Sequence, residues 1–144
     1  MCFITKEREP YIADRDMVCY KVVSVMGGKH YAPYVGRRIA KRYIIGRDLY
    51  CAHGKTAVKS CSNAWYAVHF FANNHQFFAV GKGFIHTYGN VEVAFRKMGL
   101  NREVYECVIP KGSEYYMDYE SCELASKAIH FIRRIEPRYE KIKF

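Results

Sequence analysis

At 144 residues, half of them apolar and 26% charged, the chain can bury one core without disulfide or metal staples. No apolar run reaches the ~18–20 residues of a membrane-spanning helix. The opening MCFITKEREP lacks the apolar stretch of a secretory leader, so the expected location is the reducing cytoplasm. The net charge of +9 points instead to a polyanionic or acidic partner, nucleic acid foremost.

Residues 1–16 alternate in charge and contain Pro10, so they read as a loosely attached arm ahead of a single domain over 17–144. MVCYKVVSVM (17–26) is rich in β-branched residues and is a strand. GGKHYAPY (27–34) reads as a loop, with Gly27 and Gly28 suited to positive φ and Pro33 barring a helix. RRIAKRYIIG (37–46) fits a short basic strand or a helical turn equally, and 47–64 reads as loop. AWYAVHFFA (64–72) is a short helix or strand, followed by a buried strand in QFFAV (76–80) and a strand and turn in GFIHTY (83–88).

Asn90 is placed to cap VEVAFRKM, where Val91, Ala94, Phe95 and Met98 share one helical face and Gly99 supplies the left-handed stop. EVYECVI (103–109) is a strand, and PKGS (110–113) is a type II turn read with Pro110 at i+1 and Gly112 at i+2. In SCELASKAIHFIRRI the preferred reading is a turn over 121–127 and then a strand. The fold class is therefore α+β: one compact domain, mainly antiparallel sheet, with one or two short helices.

Several chemistries find no support. Cys51, His53, Cys61, His69 and His75 lack the knuckle spacing of a structural zinc site. The six cysteines contain no C-x-x-C pair, and no G-x-S-x-G or H-E-x-x-H occurs. GKG (81–83) and PKGS place a lysine beside a glycine, but turn chemistry accounts for both. No metal or cofactor is implied.

The binding feature is basic and aromatic. Lys29, Tyr31, Tyr34, Arg37, Arg38, Lys41, Arg42, Tyr43 and Arg47 interleave cations with rings, the composition of a surface on which nucleic-acid bases stack. A solvated edge strand kept from pairing by its charge has the same composition. Arg133 and Arg134 lead a second basic stretch that runs to the C-terminus. The expected function is a non-enzymatic binding protein that contacts nucleic acid, a nucleoprotein complex or an acidic protein surface, with no membrane involved.

Two resemblances add to this reading. Tyr20-Lys21, GFIHTY and YECVIPKGSEYY…CELAS follow one another in an order that resembles the ADP-ribosyltransferase-like fold. That likeness implies a dinucleotide pocket lined by Tyr20 or Lys21, Thr87-Tyr88, His86 and Glu123, with His86, Tyr88 and Glu123 as the catalytic candidates. Lys21 stands where the family has Arg or His, Thr87-Tyr88 where it has a hydroxyl triplet, and Glu123 is not part of a Glu-x-Glu pair. The pattern GFIHTY…YECVIPKGSEYY is also similar to small proteins of bacteriophages and other mobile elements. That similarity implies binding and blocking of a host component, such as a defence system.

Overall fold

The computed structural model describes residues 3–32, 42–43, 50–51, 58–60, 78–80, 84–118 and 122–137. Among them the chain forms an α+β domain, mostly antiparallel sheet with a single short helix. The strands are β1 (Phe3–Thr5), β2 (Tyr11–Ile12), β3 (Met17–Met26), β4 (Lys29–Tyr31), β5 (Arg42–Tyr43), β6 (Tyr50–Cys51), β7 (Val58–Ser60), β8 (Phe78–Val80) and β9 (Ile85–Tyr88). The helix α1 (Val91–Met98) follows, then β10 (Arg102–Ile109), β11 (Glu114–Met117), β12 (Glu123–Ser126) and β13 (Ala128–Ile135).

The main sheet runs β2-β11-β12-β9-β3-β10-β13-β6, with β4 and β5 added beside β3. Lys127 alone joins β12 to β13, yet β9, β3 and β10 lie between those strands in the sheet. Laid flat, four strand spacings would separate them by ~19 Å, whereas one intervening residue spans at most ~7 Å. The sheet must therefore coil back on itself, with Lys127 at the corner. Its backbone N–H donates to the Glu114 carbonyl at 3.0 Å, and its ammonium lies 4.5 Å over the Phe84 ring.

Strand alternation sorts the core. Cys19, Val23, Ile85, Tyr105, Cys107, Ile109, Leu124, Ile129 and Phe131 are buried together on the inner face of the coil. Ile109 and Ile129 are fully buried, each worth roughly 1.5–3 kcal/mol of transfer free energy. On the outer face, α1 lays Ala94, Val93, Phe95 and Met98 over Val22, Tyr88 and Val104. Asn90 caps this helix as its sequence predicts, its Oδ1 accepting from the Glu92 N–H at 2.8 Å, and Gly99 ends it at φ 63°. A separate three-stranded sheet, β1-β8-β7, supplies Phe3 and Val80 to a cluster with Phe84, Tyr116 and Ala125.

Several expectations give way. The segment expected to hang as a loose arm contributes β1 and β2; Phe3 is 2% exposed and β2 pairs with β11. Ala13 is stitched to the 110–113 turn by two backbone hydrogen bonds, and the Asp16 carboxylate accepts from the Lys111 N–H at 2.9 Å. Residues 29–31, read as loop, pair with β3 because Gly27 (φ 58°) and Gly28 (φ 74°) form a two-residue hairpin turn of the primed type. Glu123–Ser126, read as turn, is a strand between β9 and β11. The 110–113 turn closes from the Ser113 N–H to the Pro110 carbonyl, so Pro110 is position i, and Gly112 takes i+2 at φ 89°. Short strands at 42–43, 50–51 and 58–60 interrupt the ambiguous stretch, while the expectation for 64–72 lies outside the described residues.

No atom lies within 4 Å of where a Cβ on Gly28 would sit, so only the backbone opposes a side chain there. Gly28→Ala is expected to cost about 1–2 kcal/mol of unfolding free energy, read by urea titration. An unchanged midpoint would show that the β3–β4 turn tolerates another conformation.

Candidate nucleic-acid interface

The β3–β4 hairpin and its neighbours bring four residues into one transverse row. Arg42 is in register with Tyr31, Tyr31 with Ser24, and Ser24 with Arg102. Residues paired in this way share a face of the sheet. Two arginine positions thus flank a tyrosine and a serine across β5-β4-β3-β10, with exposed Lys29 at the start of β4. Arg102 also reaches the end of α1, its Nη1 donating to the Lys97 carbonyl at 3.5 Å.

The inner face beside this row holds a polar cluster. His30 Nε2 lies 3.0 Å from Glu103 Oε1 and 3.2 Å from Tyr105 Oη, Tyr105 Oη donates to that same carboxylate oxygen at 3.3 Å, and Arg134 Nε forms an ion pair with Glu103 Oε2 at 2.9 Å. Arg134 also pairs with Glu136 at 3.2 Å. The His30 and Tyr105 rings meet edge to face, with centroids 5.7 Å apart. Burial and then the Glu103 charge raise the Tyr105 phenol above its ordinary range, which keeps it a donor. The cluster is not sealed: the His30 and Glu103 side chains are 21% and 18% exposed.

A β-bulge creates this cluster. Opposite Glu106 and Cys107, β13 presents Arg133 and Phe131, so Ile132 is the extra residue. Regular alternation would keep Phe131 and Arg133 on one face. The bulge carries Arg134 to the inner face with Phe131, in register with Tyr105, and turns Arg133 outward opposite Glu106. There Arg133 Nε pairs with Glu106 Oε2 at 2.6 Å.

A second transverse row crosses the outer face. Glu123, Tyr88, Tyr20, Glu106 and Arg133 occupy successive register positions on β12, β9, β3, β10 and β13. It unites Glu123, Tyr88 and Tyr20 of the dinucleotide-pocket set but leaves out Lys21 and His86. His86 packs edge to face on Phe3 at 5.4 Å, and burial followed by the Lys21 charge lowers its pKa to about 4. Lys21 lies within the coil, 5% exposed, and donates to the His86 carbonyl at 2.7 Å. Burial lowers its pKa to about 8 and raises that of Cys19 to about 11. Thr87 Oγ1 is buried with no well-formed hydrogen bond; the Cys19 thiol facing it is a weak, poorly directional partner.

Of the expected binding residues, Lys29, Tyr31, Arg42 and Tyr43 fall on the β4–β5 ladder, with Tyr43 in register with His30. Arg134 lies on the opposite, inner face, paired with Glu103, and Arg133 stands on the other row. Tyr34, Arg37, Arg38, Lys41 and Arg47 lie outside the described residues. The zinc-spaced residues also fall outside them, apart from the backbone of Cys51; among the described residues no group of three metal-ligating side chains converges. Cys19, Cys107 and Cys122 are free thiols, and no described helix is long and apolar enough to cross a membrane. The sequence reading missed Ser24, His30, Arg102, Glu103 and Tyr105. The Gly27-Gly28 dipeptide was the available signal, since a two-residue hairpin fixes which residues of β3 and β4 face each other. Comparison of the chain with protein-family models, curated proteins and solved structures finds no match.

Proposed function

We propose that this chain binds single-stranded nucleic acid across the β4–β5 ladder. The carrying observation is the run of register positions Arg42, Tyr31, Ser24 and Arg102, whose residue types are basic at both ends with an aromatic and a hydroxyl between them. A phosphodiester strand matches that arrangement: arginines neutralise phosphates, a ring stacks on a base, and a hydroxyl bonds to a phosphate oxygen. Single strands are favoured over duplex because stacking needs an unpaired base face. An acidic protein would satisfy the cations but leave Tyr31 without its base.

Fluorescence anisotropy with labelled single-stranded RNA and DNA across a salt series tests this. Affinity should fall steeply with salt, and Arg42→Ala and Arg102→Ala should each reduce the slope by about one. Tyr31→Ala should weaken binding by roughly 5- to 150-fold, equivalent to ~1–3 kcal/mol of stacking. Salt-independent binding, or none, would sink the reading and favour an acidic protein partner.

A second reading draws on the other row. Glu123, Tyr88 and Tyr20 in successive register suit an ADP-ribosyltransferase-like dinucleotide site, in which Glu123 would hold a ribose hydroxyl. Titration calorimetry with a nicotinamide dinucleotide, against Glu123→Gln, decides it.

A further inference from the structure

We propose that the turn after α1 and the neighbouring β3–β4 turn form a tip that docks on an anionic lipid surface, with Leu100 entering the boundary between headgroups and acyl chains. Leu100 is 92% exposed, more than any other large apolar side chain among the described residues. The backbone holds it there. Gly99 and Asn101, on either side, both take positive φ, at 63° and 56°, so the chain turns sharply around Leu100. The Asn101 carbonyl accepts from the Val25 N–H at 2.8 Å, which fixes this turn against the end of β3, beside the Gly27-Gly28 turn. Positive φ is uncommon for a residue other than glycine, and here it accompanies an apolar side chain held in water.

The surroundings of Leu100 are basic. Residues 26–31 and 93–102 contain Lys29, Arg96, Lys97 and Arg102 and no carboxylate. Lys29, Arg96 and Lys97 are exposed, and Arg102 reaches the end of α1, its Nη1 3.5 Å from the Lys97 carbonyl. Half-buried Met26 and Met98 add soft apolar surface on the two turns. The helix dipole accounts for Arg96 and Lys97 in the last turn of α1, but not for Lys29 on the neighbouring hairpin or for Leu100.

An apolar apex among cations is convex, so its partner has to yield or offer a matched cavity. A bilayer yields: the leucine passes the headgroup layer while the cations stay with the anionic headgroups. A nucleic-acid strand presents base faces, which favour flat rings such as Tyr31 over a branched aliphatic group. An acidic protein would satisfy the cations but would need a pocket shaped for the leucine. One apolar side chain and a few cations give a weak, reversible attachment, in which each signal needs the other. Such a contact requires no spanning segment, so the lack of a long apolar helix, on which the expectation of no membrane rested, does not bear on it.

The test sediments the nuclease-treated full chain with phosphatidylcholine vesicles made with and without phosphatidylserine. The chain should pellet with the anionic vesicles alone, and less as salt rises. Leu100→Ser should lower the partition coefficient about tenfold or more. Lys29→Gln and Arg96→Gln should each lower it about fivefold. Ile132→Ser, at an exposed apolar position elsewhere on the sheet, should sediment like the wild type. Leu100→Trp should gain emission that brominated lipid quenches, above the baseline of the chain's one native Trp. Failure to pellet with anionic vesicles overturns the lipid inference and leaves the nucleic-acid reading, measured separately by anisotropy, standing. Pelleting undiminished by Leu100→Ser reduces the contact to charge alone and overturns it as well. Should Leu100→Ser weaken binding of single-stranded RNA and not of vesicles, the tip belongs to the nucleic-acid surface instead.

Discussion

Acidification from pH 6.5 to pH 4 is expected to cost the fold on the order of 3 kcal/mol through His86 alone, at 1.36 kcal/mol per pKa unit. Burial against Phe3, reinforced by the positive charge of Lys21, lowers the His86 pKa to about 4 from its ordinary 6.5. Between those values the unfolded chain binds a proton that the folded chain refuses. Stability therefore falls as pH falls across that window, and is unaffected by this group above pH 6.5. Carboxylates add their own acid sensitivity, so the informative quantity is the difference from His86→Phe, which keeps a ring against Phe3. Urea titrations at pH 7 and pH 4.5 should show the wild type losing roughly 2–3 kcal/mol more than the variant. Equal losses would mean that the imidazole protonates in place, with water reaching it.

The second large effect lies within the coil and has the opposite sense. Lys21, held at about 8 against its ordinary 10.5 chiefly by burial, is a charge that the folded state must accommodate at neutral pH. Between pH 8 and 10.5 the unfolded chain keeps a proton that the folded chain releases, so stability rises with pH there. The span corresponds to about 3 kcal/mol, of which roughly 1 kcal/mol should be visible between pH 7 and 9. Above pH 9 the raised pKa values of Cys19 and Cys107 pull the other way, so the comparison belongs below it. Lys21→Met should abolish the rise. At pH 7 the relief of a buried charge is offset by the His86 carbonyl losing its 2.7 Å donor, a loss of ~1–3 kcal/mol. The same variant should let the His86 pKa rise, read by NMR titration, because the Lys21 charge is one of its depressing causes. A pH slope unchanged by Lys21→Met would show that the ammonium is solvated within the coil.

Local chemistry in this chain was largely legible. The Asn90 cap, the apolar stripe of α1 and its Gly99 stop rest on contacts within a few residues, and each formed where the pattern places it. β3 and β10 were equally plain, since a run of β-branched and apolar residues needs no partner to be recognised. The loose arm was misread because charge alternation and Pro10 describe a solvated backbone well. The hydrogen bonds that anchor Ala13 come from residue 112 onward, beyond any local signal. Glu123–Ser126 was taken for a turn because its strand character depends on β9 and β11 on either side.

The candidate site divides along the same line. Basic and aromatic residues from 29 to 43 are visible as composition, and composition alone nominated a polyanion-binding segment. Their arrangement as a row with Ser24 and Arg102 required the register of three strand pairs. Glu103 and His30 are 73 positions apart, and nothing near either residue announces the other. The single extra residue at Ile132 decides the rest. It leaves the run AIHFIRRI unchanged as a string, but moves Arg134 inward to Glu103 and Arg133 outward to Glu106. The sequence by itself determined an α+β chain with a capped helix, long central strands and a basic-aromatic segment, because these depend on neighbours along the chain. Only the tertiary structure decided which side chains meet, because a strand has period two and pairing register and bulges choose the face of every residue.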